Sequence, residues 1–217
     1  MSGAGVLLDL DGTLVDSNYL HTLAWKRALA DCGEWAPSNA IHRLVGMGGD
    51  QLVPTLLGRE VPGAAERRAE HYARLLPEVV AFPGAGELLS TLRAWGLAVV
   101  LASSAPGSEL DPAVGLLGGR ERFDAVTGAD DVTRSKPDPE VFRVATQQAG
   151  LDPGGVVTVG DSVWDVEASR AAGYACIGVE TGGFSRHELT EAGAVAVYRD
   201  IAELVAQART SPVAALR

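Results

Sequence analysis

Four short, mainly apolar runs, at 6–8, 97–102, 156–159 and 175–179, punctuate a chain whose other long segments repeat apolar residues at helical spacing. The first three are bounded by Gly, Ser or Asp, and all four lack inside–outside alternation, which is how strands buried on both faces of a parallel sheet read. The expected fold class is therefore α/β, a Rossmann-like parallel sheet with crossover helices on its faces. The first two runs lie too far apart for one crossover. Between residues 17 and 80 the pattern predicts helices only, at 19–32, 38–44, 50–57 and 64–76, so an all-helical insert follows the first strand. Pro83-Gly84 marks the return and opens a helix through Leu88, Leu92 and Trp95 that stops at Gly96. Asp138-Pro139 starts a helix that ends before Gly150, and Ser185 to Glu188 fits a capping box. Residues 1–15 and 81–208 are thus expected to form the sheet core and 16–80 the helical insert, with 209–217 a frayed tail of little periodicity.

Composition narrows the functional class. With 47% apolar residues in 217 the chain can bury a sizeable core. Eighteen Lys and Arg against 28 Asp and Glu give a net charge of −10, and no basic stripe is present, so nucleic acid is excluded as the main partner. Cys32 and Cys176 share no metal or CxxC spacing, which argues against a disulfide framework or a zinc site and for a reducing, cytoplasmic setting. No apolar run reaches the ~18–20 residues of a membrane span, residues 1–5 lack the features of a signal peptide, and no membrane partner is expected.

The densest chemistry lies in Val6-Leu7-Leu8-Asp9-Leu10-Asp11-Gly12-Thr13-Leu14, an apolar strand ending in two carboxylates and a glycine. Ligands of open α/β sheets bind beyond the carboxyl ends of strands, where Asp9 and Asp11 fall. Alone, Asp-Gly is also ordinary turn chemistry. Three later features obey the same logic: Ser103 directly after the second strand, Lys136 before Pro137 at a helix mouth, and Gly160-Asp161 to Asp165 after the third strand. The spacing of Asp161 and Asp165 sets both carboxylates on one side of an opening helical turn.

In that order the motifs Asp9-Leu10-Asp11-Gly12-Thr13, Ser103, Lys136 and Gly160-Asp161 to Asp165 resemble the haloacid dehalogenase superfamily over nearly the whole chain. The resemblance implies Asp9 as nucleophile, Asp11 as general acid/base, Ser103 and Lys136 as phosphate holders, and Mg²⁺ held by Asp9, the Asp11 carbonyl and Asp161 with Asp165 beside them. It also identifies the helical insert with the family's first class of cap. The chemistry agrees: a carboxylate attacking a phosphate needs cations to cancel like-charge repulsion, and Lys136 and a hard divalent ion supply them. Dehalogenases lack an acid at the Asp11 position, so the chain reads as a phosphatase acting through an aspartyl phosphate.

The cap entrance, Asp16 to Trp25, resembles that of β-phosphoglucomutase and related sugar-phosphate phosphatases, and the chain is also similar to phosphoglycolate phosphatase. The resemblance implies that His21 faces Asp11. Thr13, Ser104, His21, Gly49 and Asp50 are expected to bind phosphate or substrate. Gly49 stands where the mutase pattern has an arginine for a second phosphate, and Arg43 and Arg59, the candidates to replace it, read first as solvated surface residues. The expected function is hydrolysis of a small phosphorylated metabolite by a monomer or weak dimer. The alternatives are a mutase-like phosphotransferase and a non-catalytic phospho-ligand binder.

Overall fold

A computed structural model describes residues 3–217; Met1 and Ser2, where the expected core segment begins, lie outside the described residues. The core is a six-stranded parallel sheet built from β1 (Gly3–Leu8), β4 (Ala98–Ala102), β5 (Ala125–Thr127), β6 (Leu151–Gly160), β7 (Ala175–Val179) and β8 (Ala196–Tyr198). Their spatial order is β5-β4-β1-β6-β7-β8. The four apolar runs are its four central strands. Their residues divide between two cores with the period of a strand: Val6, Leu8, Val99, Leu101, Val157 and Val159 face one layer, and Leu7, Val100 and Val156 the other. The first layer is closed by α5 (Ala85–Ala94), α6 (Gly107–Leu116) and α10 (Ile201–Ala206), and the second by α7 (Glu140–Gln148) and α8 (Val163–Ala172). A ninth helix, α9 (Arg186–Ala192), starts at the capping box expected at Ser185.

Two short strands, β2 (Val15–Asp16) and β3 (Val80–Ala81), pair antiparallel and hold the two connections to the insert side by side. Between them stand α1 (Asn18–Asp31), α2 (Ser38–His42), α3 (Gly49–Leu57) and α4 (Ala64–Ala73), in the places where helical spacing predicts them. They share a separate apolar cluster of Trp25, Leu29, Ile41, Leu52, Val53 and Val61. Tyr72 and Leu75 reach from the end of α4 into the main core and tie the two bodies together.

The C-terminal segment corrects an expectation. Residues 208–216 do not fray but form two short 3₁₀ turns. Val213 is 1% exposed inside the main core, Leu216 packs beside it, and the Arg217 guanidinium lies over the Trp95 ring. Two apolar residues three apart on a 3₁₀ turn share one face, and five residues are too few for that period to register in a sequence.

Candidate active site

The carboxyl ends of β4, β1 and β6 lie side by side, and the chain leaves each into a loop that carries a polar group. Asp9 follows β1 with its backbone N–H donating to Val159 O at 2.9 Å, Ser103 follows β4, and Asp161 follows β6. After Asp9 the chain turns sharply, with Leu10 O accepting from the N–H groups of Thr13, Leu14 and Val15. Gly12 sits in this turn at φ +76°, and a Cβ there would collide with the Asp161 carboxylate and Asn18, so only glycine lets β1 and β6 present their acids so close together.

Asp9, Asp161 and Asp165 are all buried, with one oxygen of each within 4.8 Å of the others. Lys136, 1% exposed, donates from Nζ to Asp9 Oδ1 at 2.6 Å and to Ala102 O at 3.3 Å, and stands 2.7 Å from Asp165 Oδ1. Burial disfavours charge on Asp9 and its acidic neighbours add to this, so its pKa lies well above the usual carboxylate range despite Lys136. Burial and Asp165 likewise push Asp161 up to about 7. Asp165 Oδ2 accepts from Ser162 N–H at 3.1 Å and Ser162 Oγ at 2.5 Å, which closes the capping box of α8, and its other oxygen faces Lys136. The two oxygens of Asp161 accept from Thr13 Oγ1 at 2.8 Å and Asn18 Nδ2 at 2.9 Å. Three buried carboxylates against one ammonium, all hard oxygen donors, make a set into which a divalent cation fits.

The insert supplies the other half of the site. Ser17 Oγ donates to Asp11 Oδ1 at 2.6 Å, and His21 Nε2 lies 2.9 Å from the same oxygen. The second ring nitrogen, Nδ1, is 2.6 Å from Arg68 NH2. A guanidinium can only donate, so Nδ1 accepts, and the proton of the neutral ring sits on Nε2 and points at Asp11. Burial raises the Asp11 pKa, but the hydrogen bonds from His21 and Ser17 and the Arg68 charge outweigh it and lower it. Tyr72 stacks on His21 with ring centroids 4.0 Å apart.

Asp9, Asp11, His21, Gly49, Asp50, Ser103 and Ser104 all line one cavity of about 440 Å³ between the insert and the strand ends. Ser103 Oγ accepts from Ala105 N–H at 3.0 Å, which leaves its hydrogen to donate. Ser104 Oγ is buried without a partner. Lys136, Asp161 and Asp165 stand behind the wall. Thr13 does too: expected to touch phosphate or substrate, it is fully buried and its hydroxyl is spent on Asp161.

The arginines of the insert divide between its surface and the site. Arg43 pairs with Glu188 at 2.5 Å and lies over Phe184, and Arg59 pairs with Glu34 at 2.6 Å; neither lines the cavity. Arg68 of α4 does, so the insert brings a guanidinium to the site despite Gly49. It is paired with Glu109 of α6, which lines the cavity as well. Neither residue stands out in the sequence, because Arg67 beside Arg68 is exposed on the same helix and nothing local tells which of the two turns inward. The insert also meets the core at Gln51, whose Nε2 donates to Ser135 O at 2.9 Å in the loop that carries Lys136.

The family model of haloacid dehalogenase-like hydrolases matches residues 4–173. Phosphoglycolate phosphatase of Rhodospirillum rubrum is 34% identical over 217 residues, covering 92% of this chain and 88% of its own. Among solved structures, a hydrolase from Pseudomonas syringae is 32% identical with a TM-score of 0.90, covering 95% of this chain and 98% of its own. A β-phosphoglucomutase-like protein of Bacteroides vulgatus has a TM-score of 0.88 at 22% identity, over 99% of this chain and 90% of its own, and shares the fold.

Proposed function

The chain belongs to the haloacid dehalogenase-like hydrolase family and is a phosphoric monoester hydrolase, and from that premise we propose that it cleaves a small phosphorylated metabolite, of the sugar-phosphate or phosphoglycolate type, in two displacements at Asp9. The observation that carries this reading is the setting of Asp9, whose Oδ1 is held by buried Lys136 while Oδ2 takes no side-chain donor among the described residues. Oδ2 attacks phosphorus, the bond to the leaving oxygen breaks, and an aspartyl phosphate forms. Asp11 is ionised at rest. An arriving phosphate dianion raises its proton affinity, because like charges in one site disfavour each other. Ser17 and His21 occupy Oδ1, so Oδ2 is the oxygen left to carry that proton to the leaving group. The carboxylate so regenerated then takes a proton from the water that attacks the aspartyl phosphate.

Ser103 and Ser104 offer hydroxyl donors to the phosphoryl oxygens, and Lys136 offsets charge on Asp9. Asp9, Asp161 and the Asp11 carbonyl would hold Mg²⁺, with Asp165 fixing Lys136 rather than binding directly. When bound, the ion supplies positive charge against the phosphoryl oxygens. The residues 16–80 act as a cap over the cavity, and the β2–β3 pair serves as the neck about which it opens. A cytoplasmic setting agrees with two cysteines that are both free. Among the described residues no helix is long and apolar enough to cross a membrane.

The test is phosphate release from p-nitrophenyl phosphate with Mg²⁺, which chelation should abolish. Asp9→Asn, nearly isosteric, should melt like the wild type and lose about 10³-fold or more in turnover. Turnover within about tenfold of wild type would overturn the assignment of the nucleophile.

A further inference from the structure

The cavity is larger than a phosphoryl group needs, and the part beyond Asp11 is walled mainly by apolar side chains, among them Trp25, Met47, Leu52 and Val132. Arg68 is the one Lys or Arg in its lining among the described residues. Its charge is already spent. NH1 donates to Glu109 Oε1 and NH2 to His21 Nδ1, and the side chains of Arg68 and Glu109 are 15% and 8% exposed. Each keeps one buried polar atom without a partner, Arg68 Nε and Glu109 Oε2. Both of these atoms are enclosed, so what the closed pair presents to the cavity is no net charge. Asp50 adds a further negative charge to the wall.

We propose that Arg68 and Glu109 select the leaving group, so that the enzyme takes phosphate esters whose far end is a neutral, hydroxyl-bearing carbon chain or ring and rejects those ending in a carboxylate or a second phosphate. The inference rests on the phosphatase reading above and narrows it to the sugar-phosphate type. A hydroxyl both donates and accepts without carrying charge, so it is accommodated while the Arg68–Glu109 pair stays closed. An anionic end gains Arg68 only by displacing Glu109, whose own charge is then buried unpaired beside a second anion. Displacement also pulls Arg68 from His21 Nδ1, the contact that aims the ring proton at Asp11. Arg68 thus acts on the chemistry as a positioning residue and on the substrate as a binding one.

The experiment compares kcat/KM for matched esters within each protein, so that a general loss of activity cancels. Wild type should favour glycerol 3-phosphate over 2-phosphoglycolate, and fructose 6-phosphate over fructose 1,6-bisphosphate, by about tenfold or more. Glu109→Gln keeps the size and removes the charge, freeing Arg68 for an anion, and should move the first ratio toward phosphoglycolate by about tenfold, whereas Glu109→Asp, which keeps the charge, should retain the wild-type preference. A wild-type preference for phosphoglycolate, or a ratio unmoved in Glu109→Gln, would overturn the proposal. If Glu109→Gln does not fold, the wild-type ratios decide. Absence of release from p-nitrophenyl phosphate would instead remove the phosphatase reading, whereas aryl phosphate turnover with phosphoglycolate preferred removes only this inference.

Discussion

Lys136→Met probes the electrostatic core of the site. The lysine is 1% exposed, with its ammonium 2.6 Å from Asp9 Oδ1 and 2.7 Å from Asp165 Oδ1. Methionine nearly matches its length but leaves three buried carboxylates clustered within 4.8 Å and no lysine beside them. Removing one partner of a buried ion pair costs about 3–5 kcal/mol. With a urea dependence of about 2 kcal/mol per molar, the unfolding midpoint should fall by about 2 M. The loss should also depend on pH with a definite sign. Burial and mutual repulsion already raise Asp9 and Asp161, the latter to about 7, and without the lysine both rise further. An acid whose folded pKa exceeds its unfolded value of about 4 keeps a proton that the unfolded chain has lost, so stability falls as pH rises between the two. The variant should therefore lose more at about pH 8 than at about pH 5 in chelator, and Mg²⁺ should restore part of the loss at the higher pH by supplying the missing charge. Urea melts followed by circular dichroism at both pH values, with chelator or with Mg²⁺, measure this. A midpoint within about 0.3 M of wild type at the higher pH, or a greater loss at the lower one, would refute the reasoning.

Asp11→Asn should cost about 10²–10⁴-fold in kcat/KM on an alkyl phosphate and clearly less on p-nitrophenyl phosphate, whose leaving group needs little protonation. Equal losses on both would assign Asp11 another role. Thr13→Val removes the hydroxyl that holds Asp161 Oδ1 and should weaken Mg²⁺ binding, measured by titration calorimetry, by about 10–100-fold; unchanged affinity would show that the contact does not orient the carboxylate. Because Asp161 and Asp9, both raised by burial, must lose their protons to bind a cation, apparent affinity should drop by at least about tenfold per pH unit below about 7. A flat profile from pH 5 to 8 would contradict the raised pKa of these groups.

Much of the core could be read from the chain because its signals are local. A strand buried on both faces is mainly apolar at successive positions, so β1, β4, β6 and β7 announce themselves as short apolar runs. The polar residues placed directly after them inherit the strands' positions, which is why Asp9, Ser103 and Asp161 are legible as one site without knowledge of any contact. The edge strands β5 and β8, three residues each, are too short to rise above their surroundings, and α6 is masked by Pro112 and two glycines although Leu110, Ala113 and Val114 line its buried face. The substrate end of the site cannot be read in this way. Arg68 and Glu109 lie 41 residues apart on different bodies, and each looks like an ordinary charged residue of a surface helix. Whether Arg67 or Arg68 turns inward depends on how α4 is rotated, and Tyr72 and Leu75 set that rotation by seating the end of the helix in the main core. Period and composition determine which face of an element is buried and which side chains stand at the end of a strand. The joining of two charges across an interface is decided only by the angle at which the folded bodies meet, which packing sets and no short stretch of sequence records.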